Sequence, residues 1–190
     1  MTIPFVKAHG ARNDFLLTWR SQLPANAGNS VDLSQAICNR YTGVGADGWI
    51  LLDPAPNADA AIELWNSDGS RSEISGNGTR CAAALLVKEG LTKSPEIRIA
   101  TGAGPKTLRL LDRQNNAFSF EMNMGRAKVE ELHSTLVPGR DAVILNVGNP
   151  QIAVLCPDFD FDWRTLGATL ERHPHFPNRT NVSFVKVLDD

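Results

Sequence analysis

The order strand, Gly/Asn-containing link, strand, Asp-capped helix, loop, strand occurs twice in this chain, at 3–53 and again at 142–187. In the first passage "IPFVKA" and "DFLLTW" read as strands joined by His9-Gly10-Ala11-Arg12-Asn13. "DLSQAICNR" reads as a helix with Asp32 at its N-cap, and "WILLD" as the strand that follows the loop. In the second passage "AVILNVGNPQIAVL" is again strand, link, strand. "DWRTLGATLER" is again an Asp-capped helix ending in arginine, and "HPHFPNRTNVSFVKV" is a loop feeding a strand. Residue identity between the passages is slight. Repetition of order alone is what two copies of one α+β unit produce.

The copies differ in what comes after. In the first, the strand-like "AIELWN" and "RSEI" lead to the clearest helix of the chain, "GTRCAAALLVKEG", which closes at Lys88 and Gly90. By the same spacing its counterpart falls roughly thirty residues beyond Asn181, past Asp190, so the second unit reads as incomplete. "EIRIATG", "KTLRLL" and "AFSFEM" are three more strand candidates, and the polar stretch 126–141 reads as a connection. The expected domains are 1–123 and 124–190.

Composition removes several function classes. The formal charge of −2 comes with no Lys/Arg stripe, which argues against nucleic acid. "MTIPFVKAHG" lacks the charged and apolar regions of a signal peptide, and no apolar run reaches the ~18 residues of a membrane helix. Cys38, Cys81 and Cys156 are odd in number and widely spaced, suggesting neither a disulfide frame nor zinc. A reducing cytoplasm is the expected compartment. His173 and His175 flank a proline with no third ligand in reach, so no metal is expected. Gly43-Val-Gly45-Ala-Asp-Gly48 has the letters of a dinucleotide fingerprint, but a helix precedes it and a strand follows, the reverse of what that fingerprint requires. Trp65 and Trp163 read as core residues.

The chemistry concentrates in "EISGNGTRC", residues 73–81. A helix N-terminus leaves backbone N–H groups unpaired and carries a partial positive charge, which suits carboxylates and phosphates. Glycines at 76 and 78 let the backbone approach an anion without a Cβ in the way. The plainer reading is a turn in which Ser75 or Asn77 caps the helix.

Five segments in this order, "FVKAHGARNDF", "ICNRYTGVGADG", "WNSDGSRSEISGNGTRC", "NVGNP" and "FPNRTNVSFV", resemble the diaminopimelate epimerase family across nearly the whole chain. The resemblance implies an α+β fold of two pseudo-symmetric lobes, each a mixed or antiparallel sheet wrapped round a central helix. It implies cofactor-independent interconversion of LL- and meso-diaminopimelate on the route to lysine and peptidoglycan, using one cysteine from each lobe. It also implies a possible homodimer. Asn13, Asn66, Asn149 and Asn181 match the family's substrate-holding asparagines, and Gly76 and Asn77 match the backbone donors to the substrate carboxylate. Amides hydrogen-bond a ligand without adding charge that would shift the bases. For Asn13 and Asn149 taken singly, turn chemistry is the competing explanation.

Three departures stand against the pattern. Ser75 occupies the first-lobe cysteine position; a thiol has a pKa of about 8.5, lower at a helix N-terminus, whereas a serine hydroxyl holds its proton far more tightly. The second Cys-containing helix has no counterpart in the sequence, and Gln151 replaces the histidine that usually follows Gly-Asn-Pro. Two function classes follow. One is an epimerase in fragment or Cys-to-Ser form, with Ser75 at the catalytic position. The other is a non-catalytic relative that binds an amino-acid carboxylate or scaffolds a partner.

Overall fold

The computed structural model describes residues 2–188, which fall into two compact units, Met1–Asn123 and Met124–Asp190. The first unit opens with β1 (Val6–Gly10) and β2 (Asn13–Trp19), an antiparallel hairpin in register from Val6↔Leu17 to Gly10↔Asn13. Ala11 and Arg12 make the turn with φ of 53° and 67°, the doubly left-handed geometry that matches the twist of paired strands. A 3-10 turn (Arg20–Gln22) leads to α1 (Ser30–Cys38) and then to β3 (Gly48–Ala55), which pairs parallel to β2. After β4 (Ala58–Asn66) and the two-residue β5 (Arg71–Ser72) comes α2 (Gly76–Glu89), then β6 (Glu96–Thr101), β7 (Gly104–Gln114) and β8 (Ala117–Asn123). The sheet runs β1-β2-β3-β4-β6-β7-β8, with β5 pairing to β4.

Period-two alternation sends the residues of each central strand to two different cores. Phe15 and Leu17 of β2, Ile50 and Leu52 of β3, and Leu64 of β4 pack with Cys81, Ala82, Leu85 and Leu86 of α2. Residues from β1 through β8 join this same cluster, so the sheet curls around α2. The intervening Leu16, Trp49 and Leu51 pack on the other face against Cys38, with Leu33 and Ile37 of α1 beside them. Leu86, Ile50 and Trp49 are fully buried. Burial of each such side chain is worth roughly 1.5–3 kcal/mol relative to exposure.

The second unit contains β9 (Lys128–Glu131), β10 (Ala142–Asn146), β11 (Pro150–Leu155), α3 (Trp163–Glu171) and β12 (Asn181–Val185), its sheet ordered β12-β11-β10-β9. β10 and β11 form an antiparallel hairpin, and β12 returns parallel to β11. This is the connectivity of β1, β2, α1 and β3. The repeated order in the sequence is therefore a repeated fold, and the mixed-sheet α+β architecture is as expected.

Some local expectations change. Asn29, not Asp32, caps α1: its side-chain oxygen accepts the Asp32 N–H at 2.9 Å, one turn earlier than the sequence suggests. The cap at Asp162 is where it was expected, accepting from Thr165 N at 3.1 Å. The 126–141 stretch is not merely a connection, because β9 pairs antiparallel with β10 and so belongs to the second sheet. Trp163 is 40% exposed rather than core, with the Arg164 guanidinium 4.0 Å from its ring centroid. Trp65 does pack beside the α1-side core.

Candidate active site

Strand ends and one helix N-terminus bring the candidate residues of the first unit together. Ser75, with extended φ and ψ of −132° and 119°, is the N-cap of α2, its Oγ accepting the Gly78 N–H at 3.1 Å. The helix begins at Gly76, so the first-turn N–H groups of Gly76 and Asn77 have no partner from within the helix. Gly78 lets the helix lie this close to the sheet, and Gly48 lets β3 lie close to β4. A Cβ on Gly78 would stand 3.0 Å from Ile50 Cδ1, and one on Gly48 would stand 2.8 Å from the Trp65 carbonyl oxygen.

Asn13 opens β2, and Asn66 closes β4 as the ladder partner of Gly48, the first residue of β3. Between them Asp47 anchors the strand ends. Asn13 Nδ2 donates to Asp47 Oδ2 at 2.7 Å, and Ser67 N donates to the Asp47 carbonyl at 3.0 Å. Asn66 is held by Ser70, donating through N to the Ser70 carbonyl at 2.8 Å and through Nδ2 to its Oγ at 3.0 Å. Asn77 Nδ2 donates to Asn13 Oδ1 at 3.4 Å, and Arg80 donates to Asn77 Oδ1. Asn13, Asn66, Ser75, Gly76 and Asn77 are all half-buried. A small ligand would find N–H donors and amides there with little Cβ bulk.

A charge network backs this cluster. Arg40 donates to Asp14 Oδ1 at 2.7 Å and to Asp47 Oδ1 at 2.9 Å, and Lys7 lies 3.2 Å from Asp14. The Arg40 guanidinium, helped by Lys7 and the Asp47 N–H, holds the Asp14 carboxyl well below the usual carboxylate range. The three thiols are buried, and burial pushes those of Cys38 and Cys81 up to about 11. Neither is a base near neutral pH.

In the second unit Asn149 and Asn181 come to one end of the sheet. Gln151 Nε2 donates to Asn149 Oδ1 at 2.8 Å, Asn181 is the ladder partner of Gln151, and Asn181 Nδ2 donates to the Pro150 carbonyl at 3.2 Å. Asn149 stands two positions before Gln151, as Asn13 stands two before Phe15, whose parallel partner is Gly48. Asn149 therefore keeps the place of Asn13, whereas Asn181 stands at the Gly48 position, next to which Asn66 lies in the first unit.

Two concavities lie elsewhere. One of about 780 Å³ runs beside α3 and β12 and includes Asn181, and one of about 520 Å³ lies between β1, α2 and β8 and includes Arg80. Neither is lined by Ser75, Gly76 or Asn77. The convergence of donors, not cavity size, makes the α2 N-terminus the candidate site. Sequence reasoning missed Asp47 and Arg80. Arg80 could have been found, since it lies three residues from Asn77 on one helix face. Asp47 could not, because its tie to Asn13 spans 34 positions.

The family model described as diaminopimelate epimerase matches residues 5–130. A diaminopimelate epimerase of Pelotomaculum thermopropionicum is 36% identical over 97% of this chain and 71% of its own length. One of Desulfitobacterium hafniense is 31% identical over 96% of this chain and 70% of its own length. Among solved structures, a probable proline racemase from Agrobacterium radiobacter with bound carbonate superposes at a TM-score of 0.63 with 21% identity, covering 80% of this chain and 52% of that one. A hydroxyproline epimerase from Agrobacterium vitis gives 0.62 with 20% identity, covering 88% and 54%. At these identities the likeness is one of fold, and the chain spans about half the length of those two proteins.

Proposed function

Because the chain belongs to the diaminopimelate epimerase family, we propose that it interconverts LL- and meso-diaminopimelate by two-base α-proton transfer, the isomerase chemistry of lysine biosynthesis. The substrate α-carboxylate sits at the N-terminus of α2, held by the Gly76 and Asn77 N–H groups and the positive end of the helix dipole. Removing the α-proton leaves an electron pair that delocalises into that carboxylate, so fixed donors aimed there stabilise the charge as it develops. The Asn13 side chain adds an N–H to the carboxylate, Asn66 orients the rest of the amino acid, and Asn149 and Asn181 are substrate-holding amides of the second unit.

Ser75 stands where the proton is taken or returned. Its Oγ accepts one backbone N–H as the helix cap, and a hydroxyl without a neighbouring base is a slow proton carrier. A second reading, carboxylate binding without turnover, draws on the same bond, because capping alone accounts for a serine there. The convergence of Asn13, Asn77 and the α2 N-terminus carries the ligand site in both readings. A cytoplasmic enzyme acting as a homodimer is the assembly we propose, checked by sedimentation.

Exchange of the substrate α-proton in deuterated water separates the readings. Ser75→Cys should raise the exchange rate of LL-diaminopimelate at least about tenfold, because a thiol at a helix N-terminus is deprotonated near neutral pH and a serine hydroxyl is not. Binding without exchange in both forms would leave the carboxylate-binding reading. Absence of binding would sink both.

A further inference from the structure

The two amides at the site are hydrogen-bonded to each other and bracketed by groups of fixed character. A primary amide has two orientations that exchange its oxygen and nitrogen, and an isolated one offers a ligand either face. Here the chain of bonds runs from Arg80 to Asn77 Oδ1, from Asn77 Nδ2 to Asn13 Oδ1, and from Asn13 Nδ2 to Asp47 Oδ2. A guanidinium only donates and a carboxylate only accepts. Turning Asn13 over would set its oxygen against the Asp47 carboxylate and its nitrogen against the nitrogen of Asn77. Turning Asn77 over would set its NH₂ against Arg80, and turning both would leave both ends mismatched.

We infer that Asp47 and Arg80 are positioning residues that lock Asn13 and Asn77 in one amide orientation, so that each offers its second N–H to an incoming carboxylate. Asp47 suits this task because it is itself held. Its Oδ1 accepts from Arg40 at 2.9 Å, and its Oδ2 accepts from the Asp14 N–H at 3.0 Å as well as from Asn13. The Arg40 charge also offsets that of Asp47, which would otherwise repel an anionic ligand. A wrongly turned Asn13 would present its oxygen to the carboxylate, so binding would first have to flip the amide. Locking removes that step before the ligand arrives.

The substrate side of this inference rests on the function proposed above, but the orientation can be read without any ligand. In the ¹³C,¹⁵N-labelled 190-residue chain, scalar coupling across the hydrogen bond from Asn13 Nδ2 to the Asp47 carboxyl carbon should be observed. Its absence in the wild type would overturn the inference. Titration with LL-diaminopimelate supplies the second readout. Asp47→Asn and Arg80→Gln, each of which permits the reversed amide, should weaken binding roughly tenfold or more. Arg80→Lys, which can only donate, should recover most of what Arg80→Gln loses, a pattern that a purely structural role for the side chain would not give. Wild-type affinity in folded Asp47→Asn would refute the inference. If Asp47→Asn does not fold, the Gln and Lys variants at Arg80 decide. If the wild type binds no diaminopimelate, the proposed function fails, and the coupling alone decides the orientation.

Discussion

The hairpin, helix and parallel strand of the first unit and those of the second share one topology and differ in what their sheets support. In the first, both faces of β2 and β3 are covered. Leu16, Trp49 and Leu51 lie toward α1, and Phe15, Leu17, Ile50 and Leu52 lie toward α2. In the second, Ile144, Ile152, Val154, Val182 and Phe184 pack with Leu166 and Leu170 of α3. The alternate residues Val143, Leu145, Gln151, Ala153 and Leu155 are only half-buried, and Val185 is 36% exposed. The parallel ladders put Ile50 and Ser183 at equivalent places, and likewise Leu17 and Ala153. Topology is thus shared through element order, whereas the burial of the alternate face differs: Ile50 is fully buried against α2, and Ser183 is exposed.

The comparison can be broken at that pair. Ile50→Ser, which gives the first copy the residue of the second, should destabilise the first unit by about 3–5 kcal/mol, through the lost methyl groups and an unsatisfied hydroxyl in a closed core. Ser183→Ala should change stability by less than about 0.5 kcal/mol. Urea unfolding of both variants checks this, and comparable losses would mean that the two faces are alike after all.

A smaller effect is expected where the third strand begins. Gly48 is closed in by β4, so Gly48→Ala should cost about 1–3 kcal/mol. Its counterpart Asn181 starts β12, the edge strand of the second sheet, and is exposed. Asn181→Ala should leave the melting temperature unchanged while weakening diaminopimelate binding. A fall in melting temperature from Asn181→Ala would instead give that residue a structural task.

The smallest difference is electrostatic. Asp14 is held in its charged form by Arg40, so the unfolded chain binds the proton more readily than the folded one. The resulting stability is present above the ordinary carboxylate value of 3.8 and is lost progressively as the pH falls below it. Because the Arg40 side chain is 53% exposed, screening limits the effect to about 1 kcal/mol. Asp14→Asn should therefore melt lower than wild type at pH 7, with the gap narrowing as the pH falls below 3.8 but still open at pH 3. A gap unchanged at pH 3 would assign the loss to packing rather than charge.

Much of this was legible in the chain. Strand alternation, the Asp162 cap and the glycine after Lys88 are short-range signals, readable within a window of a dozen residues or fewer, and the doubled order of elements is the succession of such signals along the chain. The candidate asparagines came from motif resemblance, and the structure gathers Asn13, Asn66 and Asn77 around Asp47 and the α2 N-terminus, and Asn149 with Asn181. Three local readings failed, Trp163 as core among them, and two of the failures have a plain physical reason. Asp32 was a plausible cap, but Asn29 stands one turn earlier and takes the Asp32 N–H. β9 was hidden because Lys128–Glu131 is polar, as an edge strand can be, and only its pairing with β10 makes it a strand.

By itself the sequence determined the order of elements, the repeat, the family motifs and the serine in place of a thiol, because each is written in residue types at close spacing. Tertiary structure alone decided that Asp47 reaches Asn13, that Arg80 closes the amide chain through Asn77, and that Cys38 and Cys81 are buried and hold their protons. These are contacts between distant segments, and directional hydrogen bonds and desolvation exist only once the sheet has curled around α2.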